Sequence, residues 1–195
     1  MNKSFFLFIT LCLLLSLSVK GQFLKNLLAT KYVTGYAVLN NGDTLKGEIA
    51  FNDNYADYQV LSLRNTVSKK RTTLHPQDVR FISIDTIPFY PKKLRKDSVF
   101  MHLLVNDSLK IYRYRYLMAT AYYTYTETSF IYEKPDGTNL QVISKMMFPF
   151  KKRVGAFFSD YPELSKKILN KTYKFDDLYL IAEEYNTWLK RKKEL

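Results

Sequence analysis

The densest run of chemically capable side chains is Tyr112-Arg113-Tyr114-Arg115-Tyr116, followed at once by Tyr122, Tyr123 and Tyr125. In an extended strand, residues two apart share a face, so Tyr112, Tyr114 and Tyr116 line one side and Arg113 and Arg115 the other. An aromatic ladder of this kind can stack on sugar rings or bases, and flanking guanidinium groups can hold phosphate or carboxylate. The competing reading is cross-strand packing, since tyrosine has high strand propensity and its hydroxyl reaches water easily. Basic runs at Lys69-Lys70-Arg71, Lys92-Lys93, Lys151-Lys152-Arg153, Lys166-Lys167 and Lys190-Arg191-Lys192-Lys193 are spread along the whole chain, whose formal net charge is +12. Such an exterior attracts anionic polymers, among them lipopolysaccharide phosphates, acidic glycans and nucleic acid.

Other chemistries lack their residues. Metal ligation needs clustered His, Cys or carboxylates, but the two histidines, His75 and His102, are far apart, and Cys12 is the single cysteine. His75 before Pro76 reads as a turn residue and His102 as a strand residue. No Gly-x-Ser-x-Gly elbow, Gly-x-Gly-x-x-Gly loop or P-loop occurs among the six scattered glycines. The sequence therefore predicts no metal, no cofactor and no catalytic residue. Glu48, Glu127 and Glu133 lie in strand-like segments, where solvation is the usual outcome. A pair of them could serve a glycoside hydrolase only if the fold brought two together.

The first residues bear on location. Met1 to Ser4 include Lys3, and Phe5 to Val19 carry no charge. A short basic start, an apolar stretch and the small residues Val19 and Gly21 near a cleavage point match a secretory signal peptide over residues 1–21. As a helix the apolar stretch rises about 22 Å, short of the roughly 30 Å hydrocarbon core, so no stable transmembrane anchor is expected after cleavage. Cys12 lies inside that stretch rather than at its end, which argues against a lipoprotein signal. The remaining chain, 22–195, loses its cysteine and must be held by its core. An exported destination, periplasm or cell surface, also makes specific nucleic-acid recognition unlikely.

Positioning falls to short strands. Tyr32 to Leu39 and Thr44 to Phe51 flank Asn40-Asn41-Gly42-Asp43, a hairpin signature. Further strand-like runs occupy Tyr58–Leu63, Lys69–Leu74, Val79–Ile84, Ser98–Val105, Leu109–Tyr116, Thr128–Glu133 and Asn139–Ser144. That makes nine strands over 32–144, too closely spaced for helical crossovers and so antiparallel, as a barrel or a sandwich. From Phe148 the period changes. Phe150, Val154, Phe157, Phe158 and Tyr161 mark one helical face, Leu164, Ile168 and Leu169 a second, and Leu178, Ile181, Ala182, Tyr185, Trp188 and Leu189 a third. Asp160 with Glu163 suggests a capping box, and Phe175 with Leu180 a hydrophobic staple. The predicted architecture is α+β, one domain whose β-rich part (32–144) is covered by two to three C-terminal helices (148–193).

The segments Gly35-Tyr36-Ala37-Val38-Leu39-Asn40-Asn41-Gly42-Asp43-Thr44-Leu45-Lys46-Gly47, Leu74-His75-Pro76-Gln77-Asp78-Val79-Arg80-Phe81 and Tyr185-Asn186-Thr187-Trp188 resemble small exported proteins of uncharacterised function from Bacteroidota. The resemblance implies an envelope protein and carries over no catalytic residue. Bacteria of this group O-glycosylate exported proteins at Asp-Ser/Thr followed by an apolar residue. The resemblance thus implies candidate modification at Thr44, Thr86, Ser98 and Ser108, although the same pattern also begins strands after turns.

These readings converge on an exported, non-enzymatic protein that binds envelope polysaccharide or lipopolysaccharide through Tyr112, Arg113, Tyr114, Arg115 and Tyr116. Two alternatives stand beside it, a β-barrel carrier of a small apolar ligand and a two-carboxylate carbohydrate hydrolase.

Overall fold

A computed structural model describes residues 31–51, 59–94, 96–143 and 150–194. The expected signal peptide and its cleavage point lie outside these residues. Among the described residues there are ten strands: β1 (Lys31–Leu39), β2 (Thr44–Phe51), β3 (Leu61–Arg64), β4 (Arg71–Leu74), β5 (Val79–Ile84), β6 (Ile87–Leu94), β7 (Asp97–Asn106), β8 (Lys110–Ala119), β9 (Thr124–Glu133) and β10 (Asn139–Ile143). They form one antiparallel sheet in the order β10-β9-β8-β7-β6-β5-β1-β2-β3-β4. The β1–β2 turn closes as its residues require. Gly42 takes a positive φ of 95°, and the Asn41 side-chain oxygen accepts the Asp43 N–H at 3.0 Å.

The sheet is continuous and ends on β10 and β4. It is neither closed into a barrel nor split into two sheets, so the alternative carrier reading loses its barrel form. The strand absent from the sequence expectation is β6. It carries Pro88 and Pro91, residues that cannot donate to a ladder. The structure tolerates both, pairing Pro88 with Ser83 and Pro91 with Phe100.

Two buried clusters hold the molecule. One gathers Ala37, Ile49, Ile82, Phe89, Met101 and their neighbours. The other seats helices α1 (Phe150–Phe157), α2 (Pro162–Leu169) and α3 (Leu178–Glu194) against β8, β9 and β10 through Ile111, Tyr132, Val142, Phe158, Ile181 and Tyr185. Strand alternation divides the work. Tyr112 and its register partner Ile131 enter the first cluster, whereas Ile111 and its partner Tyr132 enter the second. The inner halves of β8 and β9 are therefore buried on both faces.

The helix ends differ from expectation. Tyr161 is the N-cap of α2 and makes no side-chain capping bond. Asp160 instead accepts hydrogen bonds from Lys134 Nζ at 2.6 Å and the Tyr185 hydroxyl at 2.5 Å, because a charged partner and a buried phenol outcompete a helix terminus. Leu180 is exposed, so no staple forms there. Phe175 packs edge-on against Phe130 and Phe150 in its place.

Candidate binding surface

β8 and β9 pair over ten residues each, from Lys110 opposite Glu133 to Ala119 opposite Thr124. Among the described residues, β7 pairs with β8 only as far as Arg113, and β10 with β9 only as far as Ser129. Beyond that base the two strands run on as an arm. Tyr114 and Ser129 are buried where it begins. Outward from them the side chains turn to solvent: Leu117, Met118 and Tyr125 are exposed, Tyr123 is 63% exposed and Tyr122 is 94% exposed. The turn at the end is held by Thr120, whose hydroxyl accepts the Tyr123 N–H at 3.1 Å while its backbone N–H donates to the Tyr123 carbonyl at 2.9 Å. The eleven residues from Tyr116 to Thr126 carry no charge, between Arg115 behind one strand and Glu127 behind the other.

The expected ladder is thus divided. Tyr112 (2% exposed) and Tyr114 (6%) belong to the core, a correction to the picture of three rungs on an open face. The reason is that β8 begins inside the sheet and leaves it only at mid-length. The Tyr112 ring meets Tyr90 edge-on at 6.4 Å and lies beneath Lys92 Nζ, 4.3 Å from its centroid. Its hydroxyl donates to Glu133 at 3.3 Å. Burial, then the neighbouring Glu133 charge, pushes this phenol well above its ordinary range. Tyr116 is half-buried and stacks on Tyr114 with centroids 5.4 Å apart, joining core to arm. On the alternate parity, the Arg113 guanidinium lies 3.0 Å from His102 Nδ1. Arginine can only donate, so Nδ1 accepts and the imidazole proton belongs on Nε2. Arg115 is half-buried one step further out.

Sequence spacing alone missed the aromatic row behind the arm. Tyr36, Phe81, Tyr90 and Tyr112 come from four strands and follow each other at 5.8, 5.7 and 6.4 Å. The exposed tip itself was legible as Tyr122, Tyr123 and Tyr125.

The carboxylates are engaged elsewhere. Glu48 pairs with Arg64 and Glu133 with Lys92, each at 2.5 Å, so neither is simply solvated as expected. Glu127 accepts the Thr128 N–H at 2.9 Å. Among the described residues four carboxyls are displaced from their ordinary value, all downward. For Asp107 the cause is the Lys190 hydrogen bond, and for Asp136 the Thr138 N–H. At Asp160 and Glu184 burial works upward but is outweighed, by Lys134 and Tyr185 at the first and by Tyr173 and Lys167 at the second. A glycosidic general acid needs the opposite displacement. Among the described residues no three His, Cys, Asp or Glu groups converge as a metal site. Nor does any described helix have the length and apolarity to cross a membrane.

The modification candidates separate by accessibility. Thr44, Thr86 and Ser98 are exposed at strand starts or turns. Ser108 is half-buried in the β7–β8 turn, its N–H held by Asp107 at 2.7 Å, with Lys190 on the other Asp107 oxygen at 2.7 Å. The molecule is thus a β-sheet-dominated domain with exposed aromatic clusters, an arrangement consistent with a non-catalytic binding surface. Comparison of the chain with protein-family models, curated proteins and solved structures returns no match.

Proposed function

We propose that the protein is an exported, non-enzymatic component of the cell envelope that binds anionic or glycan material through the outer half of the β8–β9 arm. One observation carries the reading: exposed tyrosines gathered on an uncharged projection of a chain whose net charge is +12. Stability does not explain them. A solvated tip makes few contacts, and Tyr122 and Tyr123 remain open to solvent although other aromatics of β8 and β9 are buried. Aromatic faces offer stacking to sugar rings, and the positive exterior raises the local concentration of anionic polymer. Arg115 and the half-buried Tyr116 form the inner limit of the surface; Tyr112 and Tyr114 support it from within.

The test is binding of the protein to envelope polysaccharide and lipopolysaccharide across a range of salt concentrations. Saturable binding that weakens with salt and falls when Tyr122, Tyr123 and Tyr125 are changed to Ala is the expected result. Absence of binding at low salt refutes the reading.

A further inference from the structure

We propose that the tip of the β8–β9 arm inserts into the interfacial region of an anionic lipid bilayer, making the protein a peripheral membrane protein docked by this hairpin. The inference rests on the arm being the contact surface and names the partner of that surface.

Three features of the arm fit a bilayer interface. The first is the length of the uncharged run. Tyr116 to Thr126 can enter a low-dielectric layer without desolvating an ionised side chain, whereas the basic runs elsewhere cannot. The second is the kind of exposed side chain. Tyr122, Tyr123 and Tyr125 at the end, with Leu117 and Met118 behind, combine apolar bodies with hydroxyl groups, the composition that settles at the boundary of headgroups and acyl chains. The third is where the charge resumes. At about 3.3 Å per residue, Arg115 stands roughly 13 Å behind the end of β8 at Ala119. A tip immersed by about 5–10 Å would hold Arg115 near the headgroup phosphates, where a guanidinium bonds well. Glu127, opposite Tyr116 in register, opposes this locally. Arg113, Arg115 and the net charge of +12 outweigh it, so the preference is for an anionic leaflet.

The test must separate the tip from the apolar N-terminal residues, which could also partition into lipid. The full chain carries one tryptophan, Trp188 in α3. A Trp188→Phe, Tyr122→Trp double variant therefore places the only indole at the tip. It is mixed with vesicles of phosphatidylcholine containing about one-third phosphatidylglycerol, with and without brominated acyl chains. The expected result is a blue shift and bromine quenching of the tip indole, with binding weakened by salt and by omission of the anionic lipid. In the chain with Trp188 retained, Tyr122→Ser with Tyr123→Ser should lower vesicle affinity about tenfold, the order set by withdrawing two aromatic side chains from the interface. Thermal unfolding of that variant should match the parent, because both side chains are exposed. Vesicle binding without quenching of the tip indole overturns the inference, since another part of the chain would then be the anchor. No vesicle binding, with polysaccharide binding intact, also overturns it while leaving the proposed function standing. Loss of both refutes the two together.

Discussion

Asn186 allows a sharp test of how α3 is fixed to the sheet. It is 4% exposed and faces Leu109, which is fully buried in the connection between β7 and β8. The Asn186 side-chain oxygen accepts the Leu109 N–H at 2.6 Å, and its side-chain nitrogen donates to the Leu109 carbonyl at 3.3 Å. One amide thus satisfies both backbone groups of a residue that water does not reach. Asn186→Leu keeps the volume nearly constant but leaves a donor and an acceptor without partners. Each orphaned buried group costs about 1–3 kcal/mol, so a loss of about 2–4 kcal/mol is expected once some relaxation is allowed. At this chain length that is a fall in Tm of roughly 5–15 °C. Denaturant unfolding of Asn186→Leu beside Thr187→Ala, an exposed neighbour expected to stay within about 0.5 kcal/mol, gives the comparison. A loss below about 0.5 kcal/mol for Asn186→Leu would refute the reasoning, because it would mean that water or another group serves Leu109 equally well.

Tyr114→Ala should destabilise by about 3–5 kcal/mol, as expected for a large buried aromatic, whereas Tyr122→Ala should leave the unfolding midpoint unchanged; equal effects would remove the division between core and arm. Gly47→Ala should destabilise by at least about 1 kcal/mol in chemical unfolding, since the added carbon would fall on the Arg64 carbonyl carbon at 3.0 Å and still closer to its oxygen. Asp160 is held below its ordinary 3.8 in the folded chain, where hydrogen bonds from Lys134 and Tyr185 outweigh burial. Its stabilising contribution is therefore complete above the unfolded value and is lost as pH falls through the folded one. Asp160→Asn should melt below the parent at pH 7, with the gap narrowing as pH falls past the ordinary carboxylate value in melting curves taken across pH.

The segments that marked a resemblance in the sequence turn out to be packing devices. In Tyr185-Asn186-Thr187-Trp188, Tyr185 bonds Asp160, Asn186 clasps Leu109, and Trp188 stacks on Tyr161 with centroids 4.8 Å apart and planes 4° from parallel. In the opening segment, Gly35 and Gly47 face each other across β1 and β2. Each leaves no room for a side chain against the neighbouring strand's backbone. Such contacts were invisible as contacts because their partners lie far off in sequence. Strand periods and the Asn-Gly turn were legible because they are local. β6 was not, since its place is decided by pairing with β5 and β7 rather than by its own local pattern. The ladder of β8 was legible as an alternation. Which rungs are buried depends on how far β7 accompanies β8, which among the described residues is to Arg113, and strand alternation does not encode that.

The point where the described pairing with β7 stops is also what makes the arm a candidate for function. A two-stranded hairpin is marginal alone. This one is anchored at its base by Tyr114, Ile131 and Tyr132, and its end is fixed by Thr120. Solubility on such an anchored projection would favour charged side chains, as at the Lys69-Lys70-Arg71 turn between β3 and β4. The chain instead places five exposed large apolar or aromatic side chains between Leu117 and Tyr125. That choice works against solubility and adds little to folding. Contact with a partner that accepts aromatic rings, as proposed above, would supply the return, and it would fall where the side chains of the arm are most exposed.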